Sequence, residues 1–480
     1  PMPWGVPINL ALFAVYMAGT MLGPVWGTAS QVVFIALAAI GVPVLANFQG
    51  GPSAIFGKTG GYAIGYILTA LLTALLTKAL GRKFWSLCVA MVVGCAACYV
   101  LGTIWFMILT GADLVSALGW CVLPYLPGDA IKIVLAAVLA LLVVVLGYVA
   151  YVFIDYHRIG DQELTVEWNA AATVETGKEY GILSYNIGFG AYEDDYSFFM
   201  DGGTESRAWS EERLTANIER IGAFLQQQDA DLYLLQEVDR DSTRSYHVDE
   251  VAMLTAQLPG LGYIWAQNYD SPYLFYPLDQ PHGKSVSGLL TLSSFGITEA
   301  RRVELPIEAG VMKLVDLDRC YSVHRIPAAD GRELVLYNVH LSAYTSDGTI
   351  AVEQLELLRA DMQAEYEKGN WCIAGGDFNK DLLGQSEEIF GGSAEGYTWA
   401  QPLPEGIWDG TDLSLVAPLD EANPVPSCRN ADAPYHEGQY VLTVDGFVVS
   451  DNVTVEQAVV EDTGFAWSDH NPVSMRFVLN

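Results

Sequence analysis

The stretch Val134–Val152 contains no charged residue, and its length and composition are those of a membrane-spanning helix. Four further apolar stretches precede it, near Pro7–Trp26, Val32–Ala46, Tyr62–Leu80 and Phe84–Leu109. Val32–Ala46 is short for a span and contains Pro43, and it is predicted to cross the membrane because its neighbours do. The sequence therefore predicts a helical, multi-pass domain over residues 1–155, located in the cell membrane.

The charge of the chain changes abruptly after this region. Up to Ile159 there are 6 Lys and Arg against 3 Asp and Glu, whereas from Gly160 onward there are 18 against 53, a net charge of -35. A polyanion such as DNA is normally bound by clustered Lys and Arg, so this acidity argues against a nucleic-acid partner. We predict a linker over 156–177 and a soluble domain over 178–480.

The distribution of positive charge predicts a membrane topology. Lys78, Arg82 and Lys83 cluster between the third and fourth predicted spans, and the positive-inside rule places such a loop in the cytoplasm. Two further predicted spans bring the chain back to the cytoplasm at Asp155.

Beyond Gly160, short strand-like runs alternate with helical patterns. The strand-like runs are Gly181–Tyr185, Leu232–Leu235, Gly288–Thr291, Glu333–Asn338, Trp371–Ala374, Val441–Val449 and Val473–Val478. The helical patterns are Ser210–Gln228, with Ser210 as N-cap, Asp249–Leu258 and Thr349–Lys368. This alternation over some 300 residues predicts a layered α/β domain.

Polar motifs accompany several of these runs, at positions where α/β sheets commonly place functional sites. The motifs are Asn186, Gln236-Glu237, Asn338-Val-His340, Gly376-Asp377-Phe-Asn379, Asp445 and Ser468-Asp469-His470. The set contains carboxylates, amides and imidazoles but no thiolate, and oxygen ligands favour Mg²⁺, Mn²⁺ or Ca²⁺ over zinc.

These residue types suit the hydrolysis of a phosphate ester, which needs charge neutralisation and an activated water. Glu237 and Asp469 can hold the cation. His470 can accept the proton of the water if Asp445 fixes its other ring nitrogen. The remaining polar residues can bind phosphate or orient the water: Asn186, His340, Asp377 and Asn379. Singly, each motif also has a structural interpretation: a satisfied strand histidine, a strand end or a turn.

The ordered set as a whole resembles the endonuclease/exonuclease/phosphatase family, over about Lys178 to Asn480. The resemblance implies a four-layer α/β sandwich of the DNase I type, a Mg²⁺ or Mn²⁺ cofactor, and a phosphate-ester substrate. It implies Glu237 as principal metal ligand with Asn186 beside it, and a water-activating pair of His470 and Asp445. It further implies that Asp377 and Asn379 act on water and phosphate and that His340 stabilises the transition state.

Two aromatic segments and several cations bear on the substrate. The insert Gly190–Arg207 and the segment Tyr269–Tyr276 form either a binding wall for a lipid or sugar headgroup or a packed lobe. Candidate cations for a second anion contact are Arg207, Arg244, His282, Lys284, Arg319 and Arg429, and the sequence singles out none of them.

The membrane region carries motifs of its own, which are Gly23-Pro24, Gly60-Gly61-Tyr62 and Gly128-Asp129-Ala-Ile-Lys132. With these motifs, the stretch from about Pro7 to Ile133 resembles the biotin-binding S-component of energy-coupling-factor transporters. The resemblance implies that Asp129 and Lys132, with Asn47, contact biotin, and that the other transporter subunits are partners. That family has six spans, so the first is expected to be absent from this sequence. A capping Asp129 at a helix start is the structural alternative.

The leading hypothesis is a membrane-tethered, divalent-metal phosphoesterase that acts on a lipid or small molecule rather than DNA. The first alternative is a biotin-binding transporter component with an accessory C-terminal domain. The second is a nuclease of the same fold.

Overall fold

The computed structural model describes residues 10–167, 171–343, 349–393, 399 and 401–480. The chain divides into two compact units, residues 1–151 and residues 152–480. Each unit is described separately below.

The first unit is entirely helical within its described residues. Its helices are α1 (Ala11–Ala39), α2 (Pro52–Ile55), α3 (Gly60–Leu80), α4 (Phe84–Thr110), α5 (Leu114–Cys121) and α6 (Leu126–Asp155), the last of which runs into the second unit. Among the described residues, α1, α3, α4 and α6 are long and apolar enough to cross a membrane. These four helices confirm the multi-pass prediction.

Among the described residues, four helices rather than the predicted five have the length and composition of a span. The difference arises in α1, which covers parts of the first two predicted spans. It consists of two helical segments that meet at Gly23, whose φ of 75° is not helical, and at Pro24, which lacks an N–H donor. Pro43 lies beyond the end of α1, in the turn before α2. Residues 7–9 of the first predicted span lie outside the described residues.

The second unit alternates strands and helices. Its first half contains β1 (Gln162–Glu163), β2 (Glu179–Asn186), α7 (Glu211–Gln227), β3 (Leu232–Asp239), α8 (Glu250–Gln257), β4 (Gly262–Asp270), β5 (Val286–Ser293), β6 (Glu299–Glu304), β7 (Cys320–Pro327) and β8 (Glu333–His340). Its second half contains α9 (Thr349–Glu367), β9 (Trp371–Asp377), α10 (Ser386–Phe390), β10 (Leu413–Val416), β11 (Cys428–Arg429), β12 (Val441–Leu442), β13 (Asp445–Ser450), β14 (Val453–Val460) and β15 (Val473–Leu479).

Two large sheets stack face to face in this unit. One has the strand order β1-β6-β7-β8-β9-β13-β10 and the other β14-β15-β2-β3-β5-β4. Their inner faces share one apolar core, to which Leu234, Leu336 and Phe447 contribute. Helix α9 covers the outer face of the first sheet, and α7 and α8 cover that of the second. The result is the four-layer α/β sandwich predicted from the sequence.

The segment predicted as a linker, 156–177, takes part in this unit. Arg158 forms ion pairs at 2.8 Å with both Glu304 and Asp318. Strand β1 pairs with β6, and the Val174 amide donates to the carbonyl of Pro327. The described part of this segment is therefore bound to the edge of the first sheet.

A buried polar bridge links the two sheets directly beneath the motif residues. Gln236 Nε2 donates to Asn338 Oδ1 at 2.8 Å, and Asn338 Nδ2 donates to Thr291 Oγ1 at 3.1 Å. Gln236, Asn338 and Thr291 are completely buried. Gln236 and Asn338 therefore serve the structure, because they fix the spacing and register of the sheets that carry the neighbouring Glu237 and His340.

We expect Asn338→Ala to lower the free energy of unfolding of this unit by about 2–4 kcal/mol, because it leaves several buried polar groups unpaired. Urea unfolding followed by intrinsic fluorescence measures the change. Thr454→Ala, at an exposed position on β14, is the control and should change stability by less than about 0.5 kcal/mol. An Asn338→Ala protein as stable as this control would show that the bridge contributes nothing.

Candidate active site

The six motifs meet at one edge of the sandwich. Asn186 ends β2, and Glu237 lies near the end of β3, which runs parallel to β2. His340 and Asp377 end the parallel strands β8 and β9 and are register partners. Asp445 begins β13 opposite Asp377. The sequence folds this way because each polar residue lies where a buried strand stops, and neighbouring parallel strands stop at the same edge.

His470 and Asp445 form a hydrogen-bonded pair. His470 Nδ1 lies 2.7 Å from Asp445 Oδ2, which also accepts from Ser427 Oγ at 2.8 Å. The negative charge of Asp445 and the hydrogen bond raise the pKa of His470 well above its usual value, although burial opposes this shift. The pairing leaves Nε2 as the ring nitrogen available for proton transfer.

Asp377 lies at the centre of the site. Its Oδ2 accepts from Asn186 Nδ2 at 3.1 Å and lies 3.5 Å from His340 Nε2 and 3.8 Å from His470 Nε2. Burial raises its pKa to about 7; the charge of His470 acts in the opposite direction, and that of Asp445 adds to the increase. Asp377 thus connects residues from both sheets and from the loop before β15.

Asn379 and His340 flank this carboxylate. The Asn379 backbone amide donates to Asp377 Oδ1 at 2.8 Å, and its side-chain nitrogen donates to the carbonyl of Leu341 at 2.8 Å. Asn379 also has a φ of 50°, a backbone conformation that Asn tolerates better than most residues. Burial lowers the pKa of His340 well below its usual value, so its ring is neutral, and Nδ1 is buried without a partner.

Glu237, Asn186 and Asp469 form a set of oxygen donors suited to a divalent cation. The nearest cation to Glu237 is Arg244, with Nη1 at 3.8 Å from the carboxylate, and no described residue donates a hydrogen bond to that carboxylate. Burial raises the pKa of Glu237, and the nearby charge of Asp469 raises it further. Two carboxylates and an amide oxygen are ligand types that suit Mg²⁺ or Mn²⁺.

A second group with ligand-like spacing consists of Asp377, Asp445 and His470, whose donor atoms lie within 4.8 Å of one another. Its histidine already binds Asp445 at 2.7 Å through Nδ1. A cation there would compete with that hydrogen bond. This group could therefore hold a metal only if that hydrogen bond were weakened.

The structure adds three side chains that the motifs did not identify as part of this site. Arg244 pairs with Glu237 and makes two hydrogen bonds with Asp239, at 2.9 and 3.0 Å. Ser427 holds Asp445, and Cys428 Sγ lies 3.6 Å from His470 Nε2. No local pattern marks Ser427 or Cys428, because they reach the site through the pairing of β11 with β12 far along the chain.

The aromatic insert is for the most part a packed lobe. Tyr192, Tyr196 and Phe198 are buried against one another, with ring centroids 5.1 to 5.5 Å apart for the pairs made by Tyr192. Among its hydrophobic residues, Met200 is exposed, and the ring centroid of the half-buried Phe199 lies 5.7 Å from that of the exposed Tyr276. Most of the aromatic residues therefore support the fold.

The first unit contains a cavity of about 700 Å³ among α1, α3, α4 and α6. It is lined by apolar and aromatic residues together with Gln31, Asn47, Asp129 and Lys132. A mostly apolar cavity with a few polar groups is the usual form of a small-molecule site. All three sequence-predicted ligand contacts, Asn47, Asp129 and Lys132, line this cavity.

The charged pair in the cavity is hydrogen-bonded, and its acid is buried. Asp129 is 3 % exposed, and its carboxylate accepts hydrogen bonds from Tyr99 Oη and, at 2.8 Å, from Lys132 Nζ. Because charged groups inside a membrane domain are costly, Asp129 and Lys132 are candidates for a ligand contact as well as for the start of α6.

Comparisons with known proteins match the two units to different families. Residues 1–147 match the BioY family, and residues 183–470 match the endonuclease/exonuclease/phosphatase family. The biotin transporter BioY of Lactococcus lactis is 35% identical over 139 residues, which cover 28% of this chain and 73% of that protein.

Solved structures resemble both parts. The S-component for biotin from an ECF-type ABC transporter is 33% identical, with 28% of this chain and 74% of that chain covered and a TM-score of 0.27. The endonuclease/exonuclease/phosphatase from Beutenbergia cavernae is 18% identical, with 63% of this chain and 72% of that chain covered and a TM-score of 0.43.

Two sequence-based assignments are confirmed together by these matches. BioY relatives are membrane transporter components, and the four apolar helices agree with a multi-pass location in the cell membrane. The matched residues 183–470 span all six motifs of the second unit. The chain belongs to the endonuclease/exonuclease/phosphatase family over residues 183–470 and to the BioY family over residues 1–147.

Proposed function

We propose that residues 178–480 form a divalent-metal-dependent phosphoesterase domain, tethered to the membrane by the domain over residues 1–155. The family match supports a hydrolase that acts on phosphate esters. The observation that carries the proposal is the convergence of Glu237, Asp377 and the His470–Asp445 pair at one edge of the sandwich.

The site residues have separate roles in an in-line displacement at phosphorus. Glu237, with Asn186 and Asp469, would hold Mg²⁺ or Mn²⁺, which would supply positive charge for the phosphoryl and leaving oxygens. Asp445 fixes the ring of His470 so that Nε2 exchanges a proton with the attacking water. Asp377 and Asn379 orient that water and the phosphate. The neutral ring of His340 donates one hydrogen bond to the phosphoryl group.

The charge of the domain supports a lipid or small-molecule substrate over DNA. From Gly160 onward the net charge is -35, which repels a long polyanion but matters less for a single phosphate group. The nearest arginine to the metal set, Arg244, is bound to Asp239 and so offers no basic track for a nucleic-acid backbone.

A metal-dependent activity screen tests this proposal. The full chain in detergent is assayed with Mg²⁺ or Mn²⁺ against phospholipids, inositol phosphates, a generic phosphodiester and plasmid DNA. We expect hydrolysis of a small or lipid phosphate ester that stops on addition of EDTA. Plasmid nicking at low salt would favour the nuclease alternative, and turnover that persists in EDTA would refute the metal requirement.

We also propose that the domain over residues 1–155 binds biotin and that its partners are the other subunits of an energy-coupling-factor transporter. The family match and the cavity lined by Asn47, Asp129 and Lys132 support this second function. The polar groups of biotin, a ureido ring and a carboxylate, match a buried acid and a partly buried amine in a mostly apolar cavity.

We expect Asp129→Asn to weaken biotin binding by about 10–100-fold, because it removes a charge-assisted contact and leaves Lys132 unpaired. Isothermal titration of the detergent-solubilised chain measures the affinity. Asp113→Asn is the matched control, since Asp113 is an N-cap that does not line the cavity. Absence of binding heat from folded wild-type protein would rule out the biotin function, and an unchanged affinity in Asp129→Asn would exclude this contact.

A further inference from the structure

One buried arginine beside the active site has no side-chain partner among the described residues. Of the six cations that the sequence offers for a second anion contact, five are engaged in the structure: Arg207 with the Pro281 carbonyl, Arg244 with Asp239, His282 with the Ser206 carbonyl, Lys284 with Asp270, and Arg429 with backbone carbonyls. Arg319 differs, because its Nε and Nη1 are buried and donate to no acceptor. No described residue accepts a hydrogen bond from its side chain.

This arrangement is costly unless an anion completes it. Arg319 is 4 % exposed. A guanidinium stays charged at every physiological pH, so a buried one cannot avoid the desolvation cost by losing its proton. Arginine at such positions is normally paired with a carboxylate or a phosphate, to which it donates two parallel hydrogen bonds. The unpaired donors therefore indicate a ligand.

The position of Arg319 beside the candidate active site indicates which anion it binds. It immediately precedes β7, which pairs with β8 so that Tyr321 lies opposite Val339, next to His340 at the end of β8. The charge of Arg319 adds to the burial that lowers the pKa of His340 and opposes the burial that raises the pKa of Glu237. His340 Nδ1 is a second buried nitrogen without a partner there.

We propose that Arg319 is the anion-binding residue of this site and holds the non-bridging oxygens of the phosphoryl group beside His340. The inference rests on the proposed phosphoesterase function and adds to it the residue that recognises the phosphoryl group. Because the guanidinium presents two donors, it binds two oxygens of one phosphoryl group and fixes its orientation, which a single lysine charge does not do.

A competing role is that Arg319 only offsets the negative charge of the carboxylates around it. The two roles differ in what a neutral substitution changes. Loss of a phosphoryl-binding group weakens phosphate binding, whether or not the affinity for the cation also changes. Loss of a compensating charge instead strengthens cation binding, because the carboxylates of Glu237 and Asp469 are left more negative.

In the test, inorganic phosphate is titrated into the full chain in detergent at a fixed Mn²⁺ concentration, and isothermal calorimetry records the heat of binding. The affinity for Mn²⁺ is measured in a separate titration. We expect Arg319→Gln to weaken phosphate binding at least about tenfold. The phosphate affinity of Arg319→Lys should lie between those of Arg319→Gln and the wild type. Arg220→Gln removes the same charge from the exposed face of α7 and should match the wild type.

The proposal would be overturned if Arg319→Gln bound phosphate as tightly as Arg220→Gln does. It would also be overturned if the wild type bound no phosphate, or if the only change in Arg319→Gln were tighter Mn²⁺ binding. If Arg319→Gln does not fold, Arg319→Lys decides, and wild-type phosphate affinity in it overturns the proposal. Arg319-dependent phosphate binding without hydrolysis of any tested ester would refute the proposed function and leave the anion site standing.

Discussion

We expect His470→Ala to reduce turnover of a phosphate ester by about 10²–10⁴-fold, because it removes the side chain that exchanges a proton with the attacking water. Nε2 of His470 is the ring nitrogen that faces Asp377, since Nδ1 is held by Asp445 at 2.7 Å. The loss should appear in kcat, while the affinity for Mn²⁺ and for inorganic phosphate changes little, because neither depends on proton transfer. Steady-state kinetics on the substrate found in the activity screen measure it.

The control for this variant is His436→Ala, at an exposed histidine in the loop between β11 and β12. It removes an imidazole from the same domain and should leave turnover unchanged. Asp445→Asn provides a second comparison, because it keeps the imidazole ring of His470 but removes the charge that orients this ring. Its turnover should lie between those of His470→Ala and His436→Ala. Full activity in His470→Ala would exclude the proposed proton-transfer pair.

The layers and the motif residues could be predicted because their signals are local. Buried strands such as β2 and β9 are short apolar runs, and each ends in a polar motif that marks the edge of the sheet. Helix α7 begins after Ser210, whose side chain accepts from the Arg213 amide, as its capping pattern indicates.

Five strands longer than two residues escaped prediction because burial on one face leaves no continuous apolar run. These strands are β4, β6, β7, β10 and β14. In β14, an edge strand, only Val453 is fully buried, so its sequence resembles a loop. The predicted strand Val441–Val449 is two strands in the structure, β12 and β13, interrupted at Thr443 and Val444. Alternating or exposed strands depend on their neighbours in the sheet, which a local pattern does not specify.

The candidate site shows the same division between local and tertiary information. The sequence predicts that Asp377 and His470 belong to one site, but it does not predict that Asp377 also receives a hydrogen bond from Asn186. It offers six cations as anion contacts, and only the tertiary structure distinguishes the unpaired Arg319 from those already engaged. Whether a side chain is satisfied depends on residues distant in sequence, so it cannot be read from a motif.

The second large effect is expected at the proposed metal ligands, Glu237, Asn186 and Asp469, and concerns the affinity for the cation. We expect Glu237→Gln to lower the affinity for Mn²⁺ by more than about 100-fold, because loss of an outer-shell partner alone typically costs 10–100-fold and Glu237 is proposed to be a direct ligand. Its carboxylate is the one in this set that receives no hydrogen bond from a described residue, so few other interactions compete for it. Calorimetric titration of Mn²⁺ into the full chain measures the affinity.

Turnover of Glu237→Gln at ordinary Mn²⁺ concentrations should fall with the fraction of protein that holds the cation, and excess Mn²⁺ should restore part of it. His470→Ala should respond differently, because its metal site is intact and added Mn²⁺ cannot replace the missing imidazole. Glu219→Gln, at an exposed position on α7, removes the same charge and should bind Mn²⁺ as the wild type does. If Glu237→Gln retains wild-type Mn²⁺ affinity, the cation is held elsewhere, and the group formed by Asp377, Asp445 and His470 becomes the metal site instead.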